Sequence, residues 1–433
     1  MPDRRYFDRG AETVPREELL AHQEQRVLEL VSRAYEFSSF YRELWDAHGV
    51  HPRRIRTIED FRRRIPFITK DQVRSHRART GDPFGGLLCV DRADLTSVTS
   101  SSGTTGVPSF FAEVWDECPP LPAGTVRDLW ELGLRPGDRV LSQPGTIRNL
   151  LDFSYHALGL TVICIDSGPG RMADVLDAVR RHRPAYIQLT YAQVVELSHL
   201  AGEHDLREVF SCLKGVAFAG LPLSPRMRRT VREDWGIELF EYTSAADTGT
   251  AWECREHAGF HLWEDMVLAE CLEPDGDEEV AAGEIGELVA TDLDNPVSPL
   301  IRYRSEDLVR MDRSRCGCGR THSRMRVVGR RGDETLVRGR PVTLHDIGRA
   351  VEAQPESAGG MFQIVRPQRD VETLVVRVGY VPVADTRESD LHDRLVAGIH
   401  AHTGVTPVLE LRTEEELMAA SSGVGKLTRV VRS

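Results

Sequence analysis

The stretch Thr99-Ser-Ser-Ser-Gly-Thr-Thr-Gly-Val-Pro-Ser109 concentrates groups that can surround an anion. Hydroxyls of Ser101, Ser102, Thr104 and Thr105, with successive backbone N–H groups, offer many donors at once, which suits a phosphate chain. Gly103 and Gly106 let the backbone take positive φ and come close to a ligand. The same composition also describes a solvated Ser/Thr/Gly loop or linker, and composition alone does not separate the two. No Gly-Lys-Ser/Thr closes the stretch, so it is not a Walker loop.

Four more stretches follow in chain order. Glu241-Tyr-Thr-Ser-Ala-Ala-Asp247 leaves the strand-like run Ile237–Phe240 and by itself reads equally as an ordinary strand exit. Pro299-Leu-Ile-Arg-Tyr-Arg-Ser-Glu-Asp-Leu308 carries Asp307, whose ionised carboxylate can accept from two donors, or simply a salt-bridged turn. Val328-Gly-Arg-Arg-Gly-Asp-Glu-Thr-Leu-Val-Arg-Gly339 is polar and arginine-rich, like a junction. Ser421-Ser-Gly-Val-Gly-Lys-Leu-Thr-Arg-Val-Val431 holds Lys426; a lone lysine near a C-terminus is ordinarily solvated surface charge.

Taken in order, these five stretches resemble the motifs of the adenylate-forming (acyl-CoA synthetase) superfamily. Glu253-Cys-Arg-Glu-His-Ala-Gly-Phe-His-Leu-Trp-Glu-Asp265, Gly286-Glu-Leu-Val289 and Pro299–Arg304 make its phenylacetate–CoA ligase branch the best fit, from about residue 20 to the C-terminus. The resemblance implies a phosphate loop at Ser101–Gly106 and a tyrosine beside adenine at Tyr242, flanked by Glu241 and Thr243. It implies a ribose-binding carboxylate at Asp307, a nucleotide contact at Arg330, a pivot at Asp333 and a mobile adenylation lysine at Lys426. Gly220, in Ala219-Gly-Leu-Pro222, stands in the stretch near adenine. The magnesium glutamate of the family falls on Ala246, so Asp247 is the nearest carboxylate for Mg²⁺. Cys254, His261, Cys316 and Cys318 resemble the structural zinc site of some members, with His257 an alternative fourth ligand. Three thiolates and an imidazole make a closed tetrahedral site without an open position for catalysis.

The pattern also breaks. Val107 replaces the lysine of the phosphate loop, which removes a point charge beside the β- and γ-phosphates. The acid of the Gly-Ala-Glu-Pro stretch is absent at Leu221, and the aromatic-glycine acid-binding segment is reduced to Asp152-Phe-Ser-Tyr-His-Ala-Leu-Gly159. Three readings of function follow. The first is ATP-dependent adenylation of an aryl or other carboxylic acid, giving acyl-AMP and pyrophosphate, with transfer to coenzyme A. The second keeps adenylation but changes the acceptor or activated group, as in an amide ligase or a nitrite-activating diazotisation enzyme. The third is a catalytically silent nucleotide-binding homologue.

The elements that must position these groups read as α/β. Arg139–Ser142, Val162–Ile165, Tyr186–Leu189 and Gly215–Phe218 are short apolar runs suited to buried strands. Met172–Arg181, Ala192–Leu200 and a proline-started helix from Ser224 alternate with them. Residues 17–37 have helical spacing, which Phe37–Leu44 continues, and a proline stops a short helix in Thr57–Pro66. Beyond about residue 260 the pattern turns β-rich. A small mobile α+β domain is expected over 330–433, after a large domain over 1–329. The 433 residues carry a net charge of −12, which argues against general affinity for nucleic acid or anionic membranes. No secretory signal or spanning apolar run is read, which points to the cytoplasm, and a homodimer is left open. Eight cysteines in this length do not make a disulfide framework; apart from the proposed ligands, they read as buried apolar side chains, Cys164 among them.

Overall fold

The computed structural model describes residues 5–100, 110–114, 123–142, 146–165, 170–219, 223, 225–382, 387–419 and 427–432. Two compact units divide the chain. One is Met1–Val140, Gly145–Val162 and Phe240–Val328; the other is Leu141–Pro144, Ile163–Leu239 and Gly329–Ser433.

The first unit is organised on antiparallel strands β1 (Leu239–Ser244), β2 (Thr250–Glu253), β3 (Phe260–Leu262), β4 (Val267–Leu272), β5 (Ile285–Asp292), β6 (Tyr303–Asp312) and β7 (Arg324–Arg330). Their order across the sheet is β4-β5-β6-β7-β3-β2-β1. Helices Arg16–Phe37, Ser39–Ala47 and Ile58–Arg64 cover one face, burying Val27, Val31, Trp45 and Phe61 with Leu268, Leu288 and Val309. Each such side chain contributes about 1.5–3 kcal/mol on full burial. The expected continuation of the first helix through Phe37–Leu44 is instead a break at Ser38. The Ser38 hydroxyl caps the next helix at Tyr41 N–H (3.3 Å) and donates to the Gly86 carbonyl (2.6 Å), so capping outweighs helical continuity. Helix Lys70–Thr80 adds a capping box at Thr69 and Gln72 and a left-handed Gly81 at its end.

In the second unit Tyr186–Thr190 pairs in parallel with Gly215–Ala219. Helices Met172–His182 and Tyr191–Leu200 pack Leu176, Val179 and Val194 onto Ile187, Leu189 and Phe218. The same unit holds a smaller α+β part. Its four-stranded sheet runs Val408–Thr413, Val375–Tyr380, Phe362–Val365, Val430–Val431, with helices Leu344–Glu352 and Glu388–Thr403 contributing Ile347, Leu391 and Leu395 to its core. The alternation of strand and helix thus matches the α/β expectation. Cys164 departs from its expected burial: it is exposed at the end of strand Thr161–Cys164, whose other residues are at most half-buried. Among the described residues no helix is long and apolar enough to cross a membrane.

The end of β5 carries a titratable pair. Burial pushes the Asp292 carboxyl up to about 7, with the charge of Asp294 adding to it. The folded chain therefore keeps a proton there that the unfolded chain releases near about 4. The resulting stabilisation is fully present below the unfolded value and is lost as pH rises through about 7. Asp292→Asn is expected to raise stability at about pH 8 by up to a few kcal/mol and to change little at about pH 4. Denaturant unfolding at both pH values checks this, and an equal effect at both would contradict it.

Candidate functional site

Ser101, Ser102, Gly103, Thr104, Thr105, Gly106, Val107, Gly220 and Lys426 lie outside the described residues. Strands Ser97–Ser100 and Phe110–Glu113, on either side of the hydroxyl stretch, pair antiparallel with Ser97 opposite Glu113 and Ser100 opposite Phe110.

Tyr242 lies on β1 opposite Trp252 of β2, and the two rings stack at 4.9 Å with 13° between planes. A cross-strand aromatic pair of this kind holds the Tyr242 ring in place. Period-two alternation puts the half-buried Thr243 and the buried Glu241 on the other face, where the Glu241 N–H donates to Glu253 Oε2 at 2.9 Å. The β1–β2 turn then bends through Ala246 (φ 55°) and Asp247 (φ 60°), both left-handed. Ala246 is buried in the main core, whereas Asp247 is exposed and its N–H donates to Ser244 Oγ at 2.9 Å. A carboxylate at 246 would be carried into apolar surroundings; at 247 it faces solvent.

Asp307 is positioned by an irregularity in the β5–β6 ladder. The register shifts between Glu287 and Val289, so β6 carries extra length at Ser305–Asp307. Ser305 donates its hydroxyl to the Leu288 carbonyl (2.8 Å) and accepts from the Asp307 N–H (3.1 Å). Glu306 takes φ 65°, the conformation that suits the glycine of the family motif, with its N–H on Glu287 Oε1 at 3.2 Å. Asp307 emerges half-buried at this bulge.

The neighbouring arginines have a different job. Arg302 is buried against Glu270 by two hydrogen bonds (3.0 and 3.2 Å) and lies 4.0 Å over the Phe67 ring. Arg304 pairs with Glu287 at 2.9 Å and donates to the carbonyls of Gly276 and Glu273. Both brace the strand that presents Asp307. Arg330, at the end of β7, is exposed, and its carbonyl accepts from the Asp333 N–H at 3.0 Å.

Cys254, His261, Cys316 and Cys318 come together: their ligand atoms all lie within 4.8 Å of one another and all four residues are buried. Cys254 follows β2, His261 sits on β3 opposite Trp252, and the two other thiols share the turn between β6 and β7, closed by Gly319 N–H on Cys316 O at 2.9 Å. Gly319 takes φ 90°, and a Cβ there would collide with the Tyr6 hydroxyl. The Sγ atoms of Cys254 and Cys316 are 3.7 Å apart. That is close to the edge of about 3.8 Å that a tetrahedron with Zn–S bonds of about 2.3 Å requires. His261 Nδ1 faces the His322 carbonyl (3.2 Å), which fixes the proton there and turns Nε2 to Cys318 Sγ at 3.4 Å. His257 is not in the group; its Nδ1 lies 3.2 Å from Glu253 Oε2.

Without an ion, the hydrogen bond from Cys254 and then the one from His261 hold Cys318 low, as a thiolate, while Cys254 is driven up. Burial favours a neutral His261, but Cys316 and Cys318 outweigh it and lift the ring to about 9. The donor set is that of a cation site. Behind it Arg320, fully buried, pairs with Glu12 (2.8 Å) and Glu131 (2.9 Å). Tyr6 donates its hydroxyl to the Cys318 carbonyl at 2.8 Å. Burial pushes Asp128 up to about 8, and it accepts from Trp263 Nε1 (3.0 Å) and Thr250 Oγ1 (3.2 Å). None of these supports is visible in the sequence, because the partners lie up to 312 positions apart.

In the second unit the C-terminal segment is anchored immediately after Lys426. Leu427 is buried, and Arg429 donates to the carbonyls of Gly360 (2.8 Å) and Phe362 (3.2 Å) under the Phe362 ring. Its own carbonyl accepts from Ile364 N–H at 2.7 Å. The arginine of the Gly-Lys-x-x-Arg pattern is thus a fastening for the segment that carries the lysine.

No family model matches the chain. Phenylacetate-coenzyme A ligase of Thermus thermophilus is 32% identical over 450 residues, spanning 97% of this chain and 98% of the relative. The enzyme of the same name from Escherichia coli (strain K12) is 31% identical over 338 residues, 76% of this chain and 75% of its own. Among solved structures, 2-hydroxyisobutyryl-CoA ligase in the postadenylation state in complex with R3-HIB-AMP matches with TM-score 0.85 and 23% identity, over 100% of this chain and 93% of that one. Amide bond synthetase McbA from Marinactinospora thermotolerans matches with TM-score 0.54 and 18% identity, over 74% and 66%. These two structural likenesses speak for the fold, a mixed α/β architecture with a large and a small domain. By its identity to curated relatives along almost its whole length, the chain belongs to the phenylacetate–CoA ligase-like branch of the adenylate-forming ligases, ATP-dependent enzymes that activate a carboxylic acid and pass it to coenzyme A.

Proposed function

We propose that this chain activates an aryl carboxylic acid of the phenylacetate type. The carboxylate oxygen attacks the α-phosphorus of ATP and pyrophosphate leaves. The thiolate of coenzyme A then attacks the acyl carbon and AMP leaves. The observation that carries the reading is Lys426. Of 55 basic Lys and Arg residues only three are lysines, at 70, 214 and 426, so a lysine in a Gly-Lys-x-x-Arg setting is not a by-product of composition. A compact ammonium can join carboxylate and α-phosphate oxygens where a planar guanidinium could not simply replace it. It also argues against a silent homologue, which has little use for that residue.

Tyr242 supports the adenine side, Asp307 the ribose, and Ser101, Ser102, Thr104 and Thr105 the phosphates, with Arg330 a further nucleotide contact. Asp247, exposed beside the buried Ala246, is the carboxylate available to Mg²⁺. Zn²⁺ is assigned to Cys254, His261, Cys316 and Cys318, a full set of four ligands, and so to structure. Supplying phenylacetate, ATP and Mg²⁺ with coenzyme A, an amine or nitrite plus aryl amine in separate reactions tests the acceptor. A thioester mass with coenzyme A alone is expected; an amide or diazo product without thioester would overturn the reading. Asp307→Ala is expected to weaken ATP and AMP alike by about 10- to 100-fold, since charge-assisted hydrogen bonds are worth about 1.5–3 kcal/mol each. Calorimetry with both nucleotides checks it, and unchanged affinities would remove Asp307 from the ribose site.

A further inference from the structure

The smaller α+β part of the second unit is docked on the parallel strands of the same unit. Its Met361, Leu417 and Leu427 are buried in one core with Val194, Val195 and Phe218. The contact falls on helix Tyr191–Leu200, which starts directly where strand Tyr186–Thr190 ends. Thr190 pairs with Ala219, the residue before Gly220. The docking surface therefore lies at the carboxyl end of the parallel pair, where ligands of α/β sheets bind. Leu427, the residue after Lys426, is 1% exposed in it.

Polar contacts from the helix hold this surface. Tyr191 donates its hydroxyl to the Gly359 carbonyl, and Arg429 lies over its ring at 5.7 Å. Further along the helix, His199 Nε2 lies 3.1 Å from Glu414 Oε2. The His199 ring is 39% exposed, whereas the Glu414 side chain is 4% exposed and its Oε1 has no hydrogen-bond partner among the described residues. A buried carboxyl with one partner depends on that partner. The charged groups facing His199 are Glu414 and Glu415 of the small part and Glu196 of its own helix, all acidic. The hydrogen bond with Glu414 raises the ring above its ordinary value, against the effect of partial burial.

We propose that His199 and Glu414 are positioning residues, a latch that holds the small part on helix Tyr191–Leu200 and so sets Lys426 at the carboxylate and α-phosphate. The proposal rests on the acid–CoA ligase reading. The strength of the latch follows pH. With His199 protonated the pair is charge-assisted. The docking it adds is fully present below about 6.5, the ordinary histidine value, and is lost as pH rises through the raised one.

The test uses the full chain and acid-dependent pyrophosphate exchange at about pH 6 and about pH 9. His199→Gln is expected to lower kcat of exchange about fivefold at the lower pH and less than about twofold at the higher. The KM for ATP is expected to stay within about twofold of wild type at both, since the nucleotide is held by other residues. Glu414→Gln should lose a similar factor at the lower pH. The His199→Gln/Glu414→Gln double variant should lose no more than either single one, because one interaction is removed. Should Glu414→Gln not fold, the pH dependence of His199→Gln carries the test alone. Transfer from preformed phenylacetyl-adenylate to coenzyme A, which does not use Lys426, is expected to be unchanged in every variant. Equal losses of exchange at both pH values, additive losses in the double variant, or a matching loss in transfer would overturn the proposal. If the wild type lacks exchange, the ligase reading fails. If exchange is present and His199→Gln leaves it unchanged at the lower pH, the latch alone fails.

Discussion

Lys426→Ala is expected to lower acid-dependent adenylation by about 10²–10³-fold, the loss typical when one group that stabilises developing charge is removed. Its unfolding free energy should stay within about 0.5 kcal/mol of wild type, as for a surface substitution away from core features. The two effects separate because different residues carry them. The C-terminal segment is fastened by Leu427, by Arg429 on the Gly360 and Phe362 carbonyls, and by Val430 opposite Ile364, all beyond the lysine. Removing the ammonium leaves these contacts in place. Lys426→Arg should recover little, because a guanidinium spreads its charge over a rigid plane. Pyrophosphate release by Lys426→Ala at the wild-type rate would contradict the assignment.

Cys316→Ser is expected to cost several kcal/mol of stability and to release the metal. The wild type should hold one zinc per chain, with Zn–S distances near about 2.3 Å by X-ray absorption and no bound water. The site ties the segment after β2 to the turn between β6 and β7, and binding free energy at such a site is folding free energy. The raised Cys254 thiol and the raised His261 of the metal-free cluster mean that zinc displaces protons on binding. Metal affinity should therefore fall steadily as pH is lowered. Elemental analysis showing less than a tenth of an equivalent of zinc, with all eight thiols titrating freely, would reduce these cysteines to packing.

Much of this was legible in the sequence because it is local. The strands at Tyr186–Thr190 and Gly215–Ala219 and helix Met172–His182 agree with their apolar spacing to within a residue. The motifs around Tyr242 and Asp307 are contiguous runs that become specific when read in order with the others. What the sequence could not show depends on partners far away. Arg302 and Arg304 stand in the same motif as Asp307, but their role as struts depends on Glu270, Glu287 and several carbonyls far along the chain. Ser38 looked like the interior of a helix, because its cap depends on the Gly86 carbonyl, 48 residues on. The choice between His257 and His261 needed the β2–β3 register, which sets His261 across from Trp252. Where the family glutamate falls on Ala246, the sequence already offers Asp247 as the nearest carboxylate, but the burial and positive φ of Ala246 could not be read from it. The neighbouring exposed Asp247 is the chemically available carboxylate.

The central claim is that this chain makes an acyl-adenylate. ATP–pyrophosphate exchange tests it directly, with radiolabelled pyrophosphate, Mg²⁺ and a panel of aryl and alkyl acids in the absence of coenzyme A. The account predicts exchange that requires both acid and Mg²⁺, is strongest with an aryl acid such as phenylacetate, and disappears in Lys426→Ala. Exchange at background level with every acid, from protein that binds ATP and is fully folded, would contradict it.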